Sequence, residues 1–154
     1  MKALSLLQPW ASLIATGAKK IETRSWSTKY RGPLAIHASK GFCKLLEELC
    51  NKEPFKSILS KFGFNVDNLP LGKIVATCNL VDCINMTPEF IDLIKSAKGY
   101  EIDFGVYEVG RFAWILENVQ PLAEPILAKG ALSLWEWEDK EAVSIWQNPG
   151  QPQN

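Results

Sequence analysis

The feature that most constrains this chain is a change of period at Gly17. Before the glycine, Pro9 suits the first turn of a helix, where its missing N–H is not needed. Trp10, Leu13 and Ile14 then fall at i, i+3 and i+4, one face of that helix. Gly17 stands where a helix end calls for a left-handed residue. After it the period becomes two. Lys20, Glu22, Arg24 and Trp26 share one side of a strand, and Ile21, Thr23 and Ser25 share the other. A short helix, a glycine turn and a strand carrying a carboxylate, a guanidinium and an indole in a row are therefore expected, with Lys19 in the turn.

The remaining segments alternate strands and short helices without strict order. Leu4 to Leu7 and Pro33 to Ala38 read as strands. Ser39 can cap a helix whose face is Phe42, Leu45, Leu46 and Leu49. A second helix is expected from Pro54 to Phe62, stopping at Gly63, and a strong strand from Lys73 to Val81. Thr87, Pro88 and Glu89 make a helix start, with Phe90, Ile91 and Ile94 facing inward. Strands are expected at Phe112 to Leu116 and Ala131 to Trp137, joined by a proline-punctuated connection from Asn118 to Lys129. A last helix is expected from Lys140 to Trp146, and a flexible tail from Asn148 to Asn154. The pattern predicts an α+β fold with a curved sheet or small barrel, in one domain over residues 1–147.

Composition narrows the function. The chain has 154 residues, 47% of them hydrophobic, enough for a substantial core. Its 17 basic residues equal its 17 acidic ones, so nucleic-acid contact requires a local patch rather than a global field. Cys43, Cys50, Cys78 and Cys83 form no C-x-x-C pair, and His37 is the one histidine. That is a poor ligand set for zinc, so no metal is expected, and free thiols fit a reducing cytoplasm. Gln8 and Pro9 interrupt the first apolar run, and no apolar stretch is long enough to span a membrane. A soluble cytoplasmic protein is expected. The GVYEVG segment, residues 105–110, lacks the lysine of a phosphate-cradling P-loop, and no cofactor is expected.

Gly17, Lys19, Glu22 and Arg24 match the pattern G-x-K-x-x-E-x-R, and this stretch resembles the ASCH domain (activating signal cointegrator homology). Gln8–Ala11, Trp26, Tyr30–Leu34, Ile36–Ala38, Phe104–Gly105, Gly110–Trp114, Lys129–Gly130 and Leu134–Trp135 resemble further blocks of that family in order. The resemblance implies a PUA-like fold, a small β-barrel flanked by short helices with a cleft beside the motif. It also implies binding of RNA or of a modified nucleoside. Some small bacterial relatives are amidohydrolases acting on N4-acetylcytidine, and ribonuclease activity has been proposed for others, so an enzyme using the same cleft is the alternative. A protein-interaction adaptor is a third.

The site residues expected on this basis are Lys19, Glu22, Arg24, Trp26, Tyr30, Arg31 and Arg111. A carboxylate at Glu22 can accept from the amino group of cytosine or adenine, and Arg24 can hold phosphate or a guanine edge. The plain alternative for these two is a surface ion pair contributing about 0–1 kcal/mol. Trp26, followed by the cations of Lys29 and Arg31, suits base stacking plus phosphate contact, or else covers the barrel end. Arg111, after the glycine-bounded loop, is placed to enter the cleft. Lys19 is expected to meet phosphate; in an enzyme, Lys19 and Glu22 would be catalytic, although the amidohydrolase relatives carry threonine in place of Glu22. Trp10, Trp114 and Trp135 are expected in the core, and His37 as a hydrogen-bonded core histidine.

Overall fold

The change of period at Gly17 is also the first corner of the fold. The computed structural model describes residues 1–139. Helix α1 (Trp10–Ala15) buries Leu13 and Ile14 completely, and Gly17 turns the chain at φ +83°. Strand β2 (Ile21–Arg24) follows. It ends at Arg24, and beyond it the indole Nε1–H of Trp114 donates to the Trp26 carbonyl at 3.3 Å.

β2 is one edge of a six-stranded mixed sheet. The others are β1 (Lys2–Leu6), β3 (Gly32–Ala38), β4 (Lys73–Asn85), β5 (Phe112–Leu127) and β6 (Leu134–Glu136), in the spatial order β2-β5-β4-β3-β1-β6. β1 and β3 are parallel and the other pairs antiparallel. Register shifts at Ile36/His37 and at three places along the β4–β5 pair bend the sheet. Arg24 Nη2, on the first strand of that order, donates to the Ser5 carbonyl on the fifth, at 3.0 Å. Four flat inter-strand spacings would separate those strands by about 19 Å. The sheet is therefore curled into a half-barrel, the α+β, PUA-like form expected.

Trp114 is fully buried at the centre of the curl, among Leu4, Leu34, Ile36 and Leu80. α2 (Lys44–Cys50) and α3 (Phe55–Lys61) seat a second cluster, in which Phe55 and Leu59 meet Leu13 and Phe104. α4 (Pro88–Ser96) starts as its residues predict: Thr87 Oγ1 accepts from the Phe90 N–H, and Ile91 and Ile94 are buried.

Three expectations fail. Ser39 caps nothing, because α2 begins after Cys43; Leu46 and Cys50 face inward while Leu45 is exposed. The stretch from Asn118 is no loose connection, for β5 continues through it to Leu127. Its two prolines are tolerated because β2 pairs only with Phe112–Ile115, which leaves the rest of β5 an open edge on that side. The last strand is limited to Leu134–Glu136. The helix expected from Lys140 and the tail from Asn148 lie outside the described residues.

One buried charge ties the corner together. Lys19 has no solvent exposure. Its Nζ donates to the Ile21 carbonyl at 2.5 Å and to the Phe104 carbonyl at 2.9 Å, and lies 3.7 Å from Glu22 Oε1. Phe104 closes a short 3-10 helix, Glu101–Phe104, whose Glu101 carboxylate accepts from the Lys20 N–H. Burial lowers the Lys19 pKa below its ordinary value of 10.5, while Glu22 and Glu101 pull it back up. Lys19→Met leaves two carbonyls and part of a carboxylate unpartnered, and is expected to lower stability by about 2–4 kcal/mol in chemical denaturation at neutral pH. The folded protein holds this proton less tightly than the unfolded chain does. The group's contribution therefore rises with pH toward 10.5, and the deficit of the variant should widen over that approach. A denaturation midpoint that Lys19→Met leaves unmoved would refute the tie.

Candidate functional site

β2 and the segment after the 3-10 helix face each other across a cleft of about 500 Å³. Thr23 joins the two walls: its Oγ1 accepts the Val106 N–H at 3.0 Å. Gly105 lies so close that a Cβ there would sit 2.8 Å from Thr23 Cγ2. Only a residue without a side chain lets the walls approach this far.

Glu22 is the deepest charged group of the cleft lining, 7% exposed. Its Oε1 accepts the Thr23 N–H at 2.9 Å, and its Oε2 accepts Arg24 Nη2 at 3.0 Å. Two donors and the Lys19 ammonium hold the carboxylate in one orientation. The guanidinium of Arg24 is held in turn by Glu22 and by the Ser5 carbonyl, while its buried Nε has no partner among the described residues. Trp10 and Trp26 add aromatic walls; Trp26 meets Trp114 edge-on, with centroids 4.8 Å apart. Arg111 lies at the far side, its Nε donating to the Val106 carbonyl at 3.2 Å.

The structure thus brings Glu22, Arg24, Trp26 and Arg111 around one opening. It does not bring the other three expected residues there. Lys19 lies behind the lining, with its ammonium consumed by carbonyls. The Tyr30 hydroxyl donates to the Pro33 carbonyl, and Arg31 donates to the Thr28 and Tyr30 carbonyls and lies 3.6 Å from Asp82. The aromatic and cations that follow Trp26 in sequence leave the cleft because the chain turns into β3 there. Trp10, expected in the core, is half-buried and lines the cleft, whereas Trp114 is fully interior.

His37 is a hydrogen-bonded interior histidine. Its Nε2 meets the Ala128 carbonyl at 2.8 Å, which only an N–H can do, so Nδ1 accepts from the Ser5 hydroxyl at 2.9 Å. The Trp135 indole N–H donates to the same hydroxyl at 3.1 Å. Ser5 and His37 are register partners in the parallel β1–β3 pair, 32 positions apart, and no local motif marks them. Among the described residues no three His, Cys, Asp or Glu side chains are grouped to hold a metal ion, and no helix is long and apolar enough to cross a membrane.

Comparison with known proteins places this arrangement. The chain is 29% identical over 139 residues to Activating signal cointegrator 1 of Homo sapiens, and 28% identical over 138 residues to that of Mus musculus. These alignments take in 89% of the chain but 22% of each relative, so the chain spans about a fifth of their length. Among solved structures it is similar to ASCH from Zymomonas mobilis, with a TM-score of 0.54 at 16% identity over 96% of this chain and 93% of that one. A single-residue mutant of the same bacterial protein gives a TM-score of 0.55 at 16% identity, over 96% of this chain and 94% of the other. Such identities show the fold alone. The sequence profile of the ASCH domain matches residues 4–126, most of the half-barrel from β1 through β5, and the chain belongs to the ASCH domain family.

Proposed function

We propose that this protein binds RNA by taking one base into the cleft between β2 and residues 104–106. The family is thought to bind RNA. The observation that carries the reading is Glu22: an oriented, nearly buried carboxylate, flanked by two arginines and two tryptophans, at an opening large enough for a nucleoside. A carboxylate accepts from the exocyclic amino group of cytosine or adenine and repels the carbonyl edge of uracil. The tryptophan faces supply stacking, and Arg24 and Arg111 supply the cations for the sugar–phosphate side. The four free cysteines suit a reducing compartment such as the cytoplasm.

The amidohydrolase alternative requires a Lys19 amine that can reach a substrate. Burial lowers the Lys19 pKa, as a nucleophile or base needs, but the group has no exposed surface and is not part of the cleft lining. Binding is therefore the better-supported activity. Turnover of acetylated cytidine by the unmutated protein would place it in the hydrolase class instead.

Glu22→Gln keeps size and reach but weakens the acceptor. Its affinity for cytosine- or adenine-containing short RNA is expected to fall by about 1–2 kcal/mol in fluorescence anisotropy titrations, with discrimination against uracil reduced. Equal affinity of both proteins for all bases would remove Glu22 from base recognition. Trp26→Ala is expected to cost about 1–3 kcal/mol of RNA affinity, and Trp26→Phe much less, because phenylalanine keeps a stacking face. If Phe and Ala weaken binding equally, Trp26 acts through its packing on Trp114 rather than by stacking.

A further inference from the structure

The cleft does not end at Arg24. Beyond that guanidinium a second, larger cavity of about 840 Å³ opens, sharing Ser5, Arg24 and Ser39 with the first. The two differ in charge. The cleft sets Glu22 and Asp103 against Arg24 and Arg111. Among the described residues, the second cavity is lined by Arg24, Lys40 and Lys129 and by no acidic residue. In a chain whose charges cancel, three cations around one opening are a local excess. Among the described residues neither lysine takes part in an ion pair.

Both lysines are held close to their bases. Lys129 stands between Ala128, whose carbonyl accepts from His37, and Gly130, which is pressed onto the same group. A Cβ on Gly130 would lie 2.6 Å from His37 Cε1 and 2.7 Å from the Ser5 hydroxyl. The stem of Lys40 lies on Gly72, where a Cβ would be 2.9 Å from its Cγ. Lys129 is thus presented from an anchored segment and Lys40 from a stem packed on Gly72, which leaves less freedom to lose on binding. Leu127 and Leu132, 75% and 93% exposed, give the mouth an apolar lip.

A mixed-charge cleft joined across one guanidinium to a cavity whose described charged residues are all cationic fits a ligand with a polar base at one end and a polyanionic backbone running on from it. We propose that the ligand is a single-stranded polynucleotide of at least two linked nucleotides. Its strand crosses at Arg24, so that the phosphate and nucleotide adjoining the cleft-bound base occupy the cavity of Lys40 and Lys129. This rests on the base-binding reading of the cleft, and it separates an RNA strand from a free nucleoside as the ligand class.

The test uses the full chain, the variants Lys40→Gln, Lys129→Gln and their double, a free nucleoside, and a short single-stranded RNA containing the same base. All are titrated across a salt series. Both lysines are exposed, so the fold is expected to survive, and circular dichroism checks it. The RNA is expected to bind more tightly than the nucleoside. Each substitution should weaken RNA binding about 3–10-fold and reduce the salt slope by about 0.7, while nucleoside binding is unchanged. A nucleoside that binds as tightly as the RNA, an unchanged slope in the double variant, or no RNA binding at all would overturn the proposal. RNA binding that responds to the lysines but not to Glu22→Gln would support the phosphate contact and remove the base-binding role of the cleft.

Discussion

An ammonium group with no access to water has to be held on every side by something that replaces water. Lys19 finds the carbonyls of Ile21 and Phe104 and the carboxylate of Glu22, which belong to the start of β2, the end of the 3-10 helix and the cleft lining. The attraction offsets part of the desolvation, and does so only while these elements stay together. The lysine therefore acts on the cleft from behind. It fixes the separation of the two walls and gives Glu22 a positive partner, leaving Arg24 and Arg111 on the lining. The spacing follows from the turn: Gly17 reverses the chain, and the second residue after it points back under the strand about to begin.

Curling is the second constraint. Arg24 and Ser5 meet only because the sheet closes far enough for its first strand to touch its fifth. The register shifts along β4 and β5 make that closure possible without breaking the ladders elsewhere. The same closure sets the two openings side by side, sharing Ser5, Arg24 and Ser39. Neutral net charge and a locally cationic surface are compatible because sorting happens at this scale. Acidic residues such as Glu47 and Glu117 stand elsewhere on the surface, and among the described residues none enters the second cavity.

The polar network of Ser5, His37, Trp135 and Ala128 shows how interior polarity can serve position rather than reaction. Every hydrogen that the histidine can give or take is used. The consequence is a segment after β5 held against the sheet at two adjacent points, with a lysine between them. An apolar interior in the same place would leave the Ala128 carbonyl unpaired and the segment free to shift.

The sequence by itself determined the elements with strong local signals. These are the helix–glycine–strand corner, the Thr87-capped α4, the end of α3 at Gly63, and the family blocks that imply the half-barrel. It also singled out Lys19, Glu22, Arg24, Trp26, Tyr30, Arg31 and Arg111 by type and spacing, and the fold brings Glu22, Arg24, Trp26 and Arg111 of these around one cleft. It could not show that β5 runs on through two prolines, because an open sheet edge exists only once β2 has been placed and found short. Nor could it show that Lys19 faces inward while Arg24 faces the cleft, for both are cations near one turn and only the packing of Phe104 distinguishes them. Tyr30 and Arg31 lie close to Trp26 in sequence, yet the turn into β3 carries them away. Lys40, Lys129 and the Ser5–His37 pair come together from three separate segments, β1, the end of β3 and the chain after β5, so their meeting was decided by the curl of the sheet and left no trace in any local pattern.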